Sequence, residues 1–197
     1  MGTTRNAIVT GSSRGIGAAI AARLAADGFA VIVNYSGNQA PAEETVAKIV
    51  AAGGKAVTQN ADVADPTAVR ALFDAAEDAF GGVDVLVNSA GVMKLAPIGH
   101  CDDALVDSHL AINLKGTINT LREAAGRIRN GGRIVNFSSS VVGLYQPTYG
   151  VYAATKAGVE ALTHIAAKEL GSKGITVNAV APGPTATHLF LDDKDEE

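Results

Sequence analysis

Two tyrosines and one lysine stand in the run YGVYAATKAG at residues 149–158. Tyr152 lies four residues before Lys156, and Tyr149 lies seven before it, so either phenol can share a helix face with the ammonium group. A nearby ammonium group favours the phenolate and lowers the phenol pKa from its ordinary value of about 10, which suits acid–base work. The run predicts a catalytic tyrosine–lysine pair or, taken alone, an aromatic–alkyl contact on a helix.

A second motif, TGSSRGIG at residues 10–17, has glycines where a phosphate-binding turn needs them. Gly11 permits a tight turn, while Gly15 and Gly17 let the backbone and the next helix approach a pyrophosphate. The motif follows a predicted first strand, so we interpret it as a dinucleotide-binding turn rather than a turn that binds nothing. The contacts expected from it are Gly11, Ser13, Arg14, Gly15, Ile16 and Gly17.

The end of the second predicted strand distinguishes NAD(H) from NADP(H). A carboxylate at that point accepts hydrogen bonds from the adenosine ribose and repels a 2′-phosphate. This sequence has Asn34, Tyr35 and Ser36 there, with no acid before Glu43. Arg14 is a candidate partner for a 2′-phosphate, because charge-assisted hydrogen bonds are the strong ones. We therefore expect NADP(H) rather than NAD(H), with Asn34, Tyr35 and Ser36 near the adenosine.

Two later strand ends add candidate cofactor contacts. Asp62 follows the third strand, where its carboxylate either accepts a hydrogen bond from the adenine amino group or serves as a turn residue beside the next helix. The small residues of NSAG, at positions 88–91, suit a backbone that lies against the cofactor. The contacts expected from these ends are Asp62, Val63, Asn88, Ala90 and Gly91.

These motifs are spaced by an alternation of strands and helices. Short β-branched runs at residues 7–9, 30–34, 55–58, 83–88, 133–137 and 175–180 alternate with Ala-rich amphipathic segments at about 15–27, 40–52, 66–80, 102–129 and 150–171. Because parallel neighbours need a crossover, the alternation predicts an α/β fold, a doubly wound Rossmann-type parallel sheet of about six strands with helices on both faces. Ligands bind beyond the carboxyl ends of such strands. The length favours one domain, residues 1–197.

Composition and charge exclude several classes of protein. The net charge of −4 gives no reason to expect nucleic acid or an anionic membrane as a partner. Cys101 is the only cysteine and the four histidines are scattered, so neither a disulfide nor a metal site is expected. No secretory signal or membrane-spanning run is visible. We therefore expect a cytoplasmic protein.

Six features follow one another along the chain: TGSSRGIG, NSAG, Asn113 in AINLKG, the serine run at 138–140, YAATK and PGPTAT. The same order is found in short-chain dehydrogenases/reductases, a family that this sequence resembles over its whole length. The resemblance implies that Tyr152 protonates the substrate carbonyl oxygen while hydride arrives from the nicotinamide. It implies that Lys156 lowers the tyrosine pKa and holds the nicotinamide ribose, and that Asn113 supports a water relay to Lys156. Further implied cofactor contacts are Tyr152, Lys156, Pro182, Gly183, Thr185 and Thr187.

The resemblance also implies a catalytic serine that orients the carbonyl, with three candidates at 138–140. Ser139 stands thirteen residues before Tyr152, the usual separation in the family, whereas the local string SVVG favours Ser140. We choose Ser139. Tyr149 matches no role in the family pattern, so we expect it to form pocket wall or helix entry.

The expected activity is reversible, NADPH-dependent reduction of a ketone to a secondary alcohol. The alternatives are a 3-oxoacyl thioester (acyl-carrier-protein) reductase and, in another class, a nucleotide-binding or interaction module without turnover. Similar family members continue past this C-terminus, so the sheet is expected to lack the usual seventh strand, in a fragment or a shortened form. The resemblance implies a homo-oligomer, dimer or tetramer. The pocket candidates suggest a small carbonyl or alcohol substrate with a hydrophobic part; they are Met93, Leu95, Val142, Leu144, Tyr145 and Tyr149.

Overall fold

A computed structural model describes residues 5–187, in which six parallel strands form one sheet in the order β3-β2-β1-β4-β5-β6. The strands are β1 Asn6–Thr10, β2 Ala30–Tyr35, β3 Lys55–Asn60, β4 Val83–Asn88, β5 Ile128–Phe137 and β6 Thr176–Val180. Every pair of neighbours runs parallel. The strand order reverses between β1 and β4, which opens a crevice at their carboxyl ends. The doubly wound sheet predicted from the sequence is confirmed.

Helices connect the strands and cover both faces of the sheet. They are α1 Gly15–Ala26, α2 Ala40–Ala51, α3 Pro66–Phe80, α4 Asp103–His109, α5 Gly116–Arg127, α6 Val141–Leu144 and α7 Gly150–Leu170. Alternate residues of a strand point to opposite faces. Ile8 of β1 therefore packs with Phe73 of α3 in one core, while Val9 packs with Ala21 of α1 in the other, and all four side chains are fully buried.

Helix α3 illustrates how local sequence sets an element. The Asp65 carboxylate accepts a hydrogen bond from the Thr67 N–H at 2.8 Å, which caps the first turn, and Pro66 occupies the first helical position. Gly81 ends the helix in the left-handed region, at φ +82°. The buried side chains recur at helical spacing, at Val69, Leu72, Phe73 and Ala76.

The predicted helix at 102–129 is wrong in its continuity and its end. A π-helical segment, Leu110–Lys115, interrupts it between α4 and α5. The last two residues of the predicted helix, 128 and 129, belong to β5, because Ile128 is buried and pairs with Val83 in the sheet. A π segment turns the following side chains relative to a regular helix, and such segments are frequent at functional sites.

Candidate functional site

A cleft of about 730 Å³ lies at the carboxyl edge of the sheet, where the loops after all six strands contribute to its lining. Its volume suits a ligand of nucleotide size or larger. Two of its loops meet across the cleft, since a Cβ added at Gly15 would lie 3.6 Å from the Thr187 Cγ2. The PGPTAT segment therefore closes over the glycine turn.

The cleft brings together the predicted site residues, with the exception of Asn88 and Asn113, which lie behind it. Of the predicted set, those that line it are Gly11, Ser13, Arg14, Gly15, Ile16, Gly17, Asn34, Tyr35, Ser36, Asp62, Val63, Ala90, Gly91, Ser139, Tyr152, Lys156, Pro182, Gly183, Thr185 and Thr187. Residues from six loops, distant in sequence, thus share one surface.

The glycine turn is packed too closely to admit side chains. Gly11 has φ +61°, and a Cβ there would lie 2.7 Å from the Ala90 Cα, while a Cβ at Gly17 would overlap the Gly11 carbonyl oxygen. Arg14 precedes α1 with an extended backbone and makes no side-chain capping bond. The first N–H groups of α1 are therefore free of a side-chain cap and can bind an anion.

Asn34 has a different task from the one expected. Its Oδ1 accepts a hydrogen bond from the Gly11 N–H at 3.1 Å, and its Nδ2 donates to the Gln59 and Ala61 carbonyls at 3.2 and 3.0 Å. The side chain is 1% exposed. Because both ends of its amide are hydrogen-bonded within the protein, the Asn34 side chain holds the glycine turn against the end of β3. The residue lines the cleft, but its amide has its partners inside the protein.

The adenosine end of the cleft has an exposed cation, Arg14. The side chains of Arg14 and Ser36 are exposed there, whereas Tyr35 is buried. Asp62 is the single acid among the described lining residues, and its Oδ1 accepts from the Ala64 N–H at 2.9 Å. The sequence expectation of a site that tolerates a 2′-phosphate agrees with this charge distribution.

Tyr152 and Lys156 both project from α7 into the inner end of the cleft, and both are more than nine-tenths buried. The Lys156 Nζ donates a hydrogen bond to the Phe137 carbonyl at 2.8 Å and lies 5.7 Å from the centre of the Tyr152 ring. Burial lowers the pKa of Lys156 from 10.5 to about 8. A lysine with this pKa remains mostly protonated at neutral pH.

The pKa of Tyr152 is raised overall in this structure, so burial outweighs the expected lowering by Lys156. Burial raises the pKa of the Tyr152 phenol, the Ser139 hydroxyl opposes this as a hydrogen-bonding neighbour, and Tyr149 adds to the rise. The reason is geometric, because the Lys156 Nζ is directed to the Phe137 carbonyl and to the ring rather than to the phenol oxygen. Tyr152 therefore retains its proton at neutral pH.

The three serines after β5 have different surroundings. The Ser138 hydroxyl is buried and donates to the Glu160 carboxylate at 2.6 Å. The Ser139 Oγ accepts a long hydrogen bond, 3.4 Å, from the Val141 N–H. Ser139 is the serine whose hydroxyl lowers the pKa of Tyr152. Ser140 lines the cleft and begins α6. This geometry favours Ser139 over Ser140 as the partner of a bound carbonyl.

Asn113 stands behind the cleft, in the π-helical segment. Its Oδ1 accepts from the Val92 N–H at 2.8 Å, and its Nδ2 donates to the Val92 carbonyl at 2.9 Å and to the Thr155 Oγ1 at 3.3 Å. The side chain thus joins the loop after β4 to α7, one residue before Lys156. Its part in a water relay stays a prediction.

Asn88 lies inside the sheet rather than on the cofactor surface. Its Nδ2 donates to the Asn136 Oδ1 at 2.8 Å, and the Asn136 Nδ2 donates to the Thr163 Oγ1 at 2.9 Å. This buried chain of side chains ties β4 and β5 to α7. The Asn88 side chain therefore points into the core and is not part of the cleft lining, and a cofactor contact through the Asn88 backbone stays a prediction.

Sequence reasoning missed Thr10, whose Oγ1 accepts from the N–H groups of Ser89 and Ala90, both at 3.1 Å. Its place beside Gly11 was the available signal. Five further lining residues lie inside the quoted motifs without having been expected as contacts, namely Ser89, Ile112, Ser138, Ser140 and Pro184. No motif marks the other lining residues outside the predicted set, which are Ala61, Val92, Phe137, Val141, Gln146 and Pro147.

Three of the six pocket candidates line the cleft, namely Met93, Leu144 and Tyr149. Val142 does not, since the single turn of α6 places Val141 inward instead. The prediction that Tyr145 lines the pocket is also wrong. Its backbone is left-handed, at φ +50°, and the residue is 80% exposed. Leu95 lies outside the lining and packs against the buried cluster that contains Tyr152.

Within residues 5–187, no helix is both long and apolar enough to cross a membrane. The same residues contain no group of three or more histidine, cysteine, aspartate or glutamate side chains arranged to hold a metal ion.

Comparison with known proteins agrees with this geometry. A family model described as short chain dehydrogenase matches residues 5–197. An NADPH-dependent aldehyde reductase-like protein, chloroplastic, from Arabidopsis thaliana is 43% identical over 98% of this chain and 77% of its own length. A 3-oxoacyl-[acyl-carrier-protein] reductase from Staphylococcus aureus is 43% identical over 93% and 75%. A short chain dehydrogenase from Burkholderia cenocepacia, solved in complex with NADP, superposes with a TM-score of 0.92 at 41% identity, covering 96% of this chain and 78% of its own.

Proposed function

This chain belongs to the short chain dehydrogenase family, and from that premise we propose that it is an NADP(H)-dependent oxidoreductase that reduces a ketone to a secondary alcohol, reversibly. One observation carries the proposal. A protonated phenol, Tyr152, lies beside Ser139 and the buried Lys156 at the inner end of a nucleotide-sized cleft. This arrangement supplies a proton at a point that a carbonyl oxygen can reach.

The lining residues fit a dinucleotide phosphate. The glycine turn leaves no room for side chains and presents the uncapped start of α1, where a pyrophosphate is favoured. Arg14 and Ser36 would hold the 2′-phosphate, and Lys156 would bind the nicotinamide ribose. When bound, NADPH supplies the hydride. The relative solved with NADP supports this choice of cofactor.

The protein residues divide the remaining work. Ser139 orients the substrate carbonyl by donating a hydrogen bond to its oxygen. Tyr152 then transfers its phenolic proton to that oxygen as an alkoxide develops, and its raised pKa ensures that the proton is present at neutral pH. The Lys156 ammonium stabilises the phenolate left behind, since opposite charges attract strongly in a buried site.

A 3-oxoacyl thioester is the second candidate substrate, because the Staphylococcus aureus relative is named as a 3-oxoacyl-[acyl-carrier-protein] reductase. An acyl-carrier-protein partner would need a basic surface, and the cluster Arg127, Arg129 and Arg133 does not supply one at the cleft. Arg127 binds the Glu77 carboxylate at 2.7 Å, and Arg129 binds the Asp84 carboxylate at 3.0 Å, at the amino end of the sheet. These charges are neutralised and lie far along the strands from the cleft.

The test is NADPH oxidation by the purified chain with a panel of ketones and a 3-oxoacyl thioester. Tyr152→Phe should lower kcat by at least ~10²-fold, the usual contribution of a general acid, while the Kd for NADPH changes little. Ser139→Ala should lower kcat far more than the matched control Ser140→Ala. A folded chain that binds NADPH and reduces none of these compounds would favour a nucleotide-binding module without turnover.

We also propose that the protein is a homo-oligomer that pairs through α4, α5 and α7. Leu110, Ile118 and Ile165 on or next to these helices are large apolar side chains that remain 44%, 37% and 54% exposed. Ala157 and Ala161 are exposed on α7 and would permit close helix packing. Sedimentation of the purified chain should give a dimer or tetramer, and a monomer at micromolar concentration would contradict the proposal.

A further inference from the structure

The segment at residues 92–96, after β4, is held by hydrogen bonds at every second residue. Val92 is bound through both backbone groups by the Asn113 side chain, at 2.8 and 2.9 Å. The Lys94 N–H donates to the His109 Nε2 at 3.1 Å, and the Ala96 N–H donates to the Thr148 carbonyl at 3.1 Å. Alternation of this kind is typical of an extended chain whose intervening side chains face the other way.

The intervening side chains are those of Met93 and Leu95, and both pack in the small apolar cluster that contains Tyr152. Met93 also lines the cleft beside Tyr152. The segment is therefore a wall of the substrate end of the cleft, and its hydrogen bonds fix the distance between this wall and the phenol.

His109 supplies the middle bond of this wall. It is the last residue of α4 and is completely buried. Because the Lys94 backbone N–H can only donate, the His109 Nε2 must accept, so the ring proton resides on Nδ1. The Nδ1–H then donates to the Leu105 carbonyl, 2.8 Å away. Both ring nitrogens are satisfied by the neutral tautomer alone.

The same ring touches the catalytic centre by its edge. The His109 and Tyr152 ring centres are 6.2 Å apart with an interplanar angle of 80°, an edge-to-face contact. One buried side chain thus contacts the wall through Nε2, its own helix through Nδ1, and the phenol ring through its edge. None of the motifs in the sequence marks this residue.

We propose that His109 is a positioning residue for carbonyl reduction, which fixes the wall at 92–96 relative to Tyr152 and so determines how the substrate carbonyl meets the phenol. The inference rests on the proposed function. It predicts that loss of the Nε2 bond impairs use of the carbonyl substrate and leaves the nucleotide end of the cleft intact.

Two amide substitutions separate the two bonds of the ring. In His109→Gln the side-chain oxygen reaches the position of Nε2 and can accept from the Lys94 N–H. In His109→Asn the shorter amide reaches only the position of Nδ1, where it donates to the Leu105 carbonyl and leaves Lys94 unbound. Matched controls are His100→Gln and His100→Asn, because His100 is exposed in the short 3₁₀ helix Ile98–His100.

Kinetics with NADPH saturating give the first readout. His109→Asn should lower kcat/KM for the ketone about tenfold, the size expected for one lost buried hydrogen bond. His109→Gln should recover most of that loss, and the Kd for NADPH should be unchanged in both variants. The His100 variants should match the wild type. Equal losses in the Gln and Asn variants, or a parallel loss of NADPH affinity, would overturn the inference and indicate a general structural effect.

Hydrogen exchange of the Lys94 amide gives a second readout that does not depend on turnover. The amide should exchange about tenfold faster in His109→Asn than in the wild type, and His109→Gln should restore its protection. Equal protection in the wild type and His109→Asn would refute the role of His109 directly. A wild-type chain without turnover refutes the proposed function instead, so the two failures are distinguishable.

Discussion

Lys156 holds a positive charge in a place where the protein surrounds it almost completely. The residue is 6% exposed, and the hydrogen bond that its ammonium group makes, at 2.8 Å, is to the neutral carbonyl of Phe137. A charge that leaves water without a compensating anion destabilises the fold. We therefore expect Lys156→Met, which keeps the unbranched stem and removes the amine, to stabilise the protein near neutral pH while abolishing turnover.

The size of this effect follows from the pKa. Burial lowers the pKa of Lys156 from 10.5 to about 8, and that fall corresponds to roughly 3 kcal/mol at about 1.4 kcal/mol per pH unit. The unfolded chain keeps the ordinary pKa and binds the proton more tightly, so the destabilisation is complete below the folded pKa. It fades as the pH rises from about 8 to 10.5, and above that range the lysine is neutral in both states.

Urea denaturation of the wild type and Lys156→Met, each without added nucleotide, measures the difference in the free energy of unfolding. The advantage of the variant should be roughly 3 kcal/mol larger at about pH 7 than at about pH 10.5. Loss of the bond to the Phe137 carbonyl costs about 1 kcal/mol at every pH, so it shifts the curve without changing its slope. The matched control is Lys168→Met, on the exposed side of α7. A difference that stays constant across this range would refute the reasoning.

Two further predictions concern the glycine turn and an ion-pair network. Gly17→Ala should weaken NADPH binding at least about tenfold and lower the Tm, because the added Cβ would overlap the Gly11 carbonyl. Nucleotide titration and melting curves test this prediction, and an unchanged Kd for NADPH would contradict it. Arg127→Ala should lower the free energy of unfolding by ~1–2 kcal/mol, since the half-buried guanidinium bonds both Glu77 oxygens and stacks on a neighbouring ring. The Arg127 guanidinium holds the pKa of Glu77 below 4.5. The loss of unfolding free energy in Arg127→Ala should therefore shrink as the pH falls below that value, as denaturation curves would show. The control is Arg70→Ala, at an exposed arginine, which should have a milder effect.

Local pattern was sufficient for the elements and for the edge at which the site lies. Strands β1, β2 and β4 are buried on both faces, so their residues form apolar runs that are visible without a partner, and glycines mark many of the turns between elements. Because parallel strands bring all their carboxyl ends to one edge, motifs at those ends were certain to meet there. Gly11, Asp62 and Ser139 are examples, and each lines the cleft.

The sequence pattern did not predict that the helix at 102–129 is interrupted, because the interruption depends on contacts with a loop that is distant in sequence. The π-helical segment Leu110–Lys115 carries Asn113, whose partners are the Val92 backbone and Thr155. Helical periodicity reports which face of a helix is apolar, and it does not report an extra residue in a turn. Such a turn is stabilised by contacts across the fold rather than by its own sequence.

By itself the sequence determined the doubly wound sheet, the family and the set of residues that gather at one edge, because these depend on periodicity and on short motifs. Tertiary structure alone decided which of those residues face the ligand and in which protonation state. The side-chain amides of Asn34 and Asn88 are bound by partners 27 and 48 residues away, and the Asn34 side chain therefore holds a loop. Burial likewise raised the pKa of Tyr152 and lowered that of Lys156. Desolvation and long-range hydrogen bonds exist only once the chain is folded, and they determine the chemistry of the site.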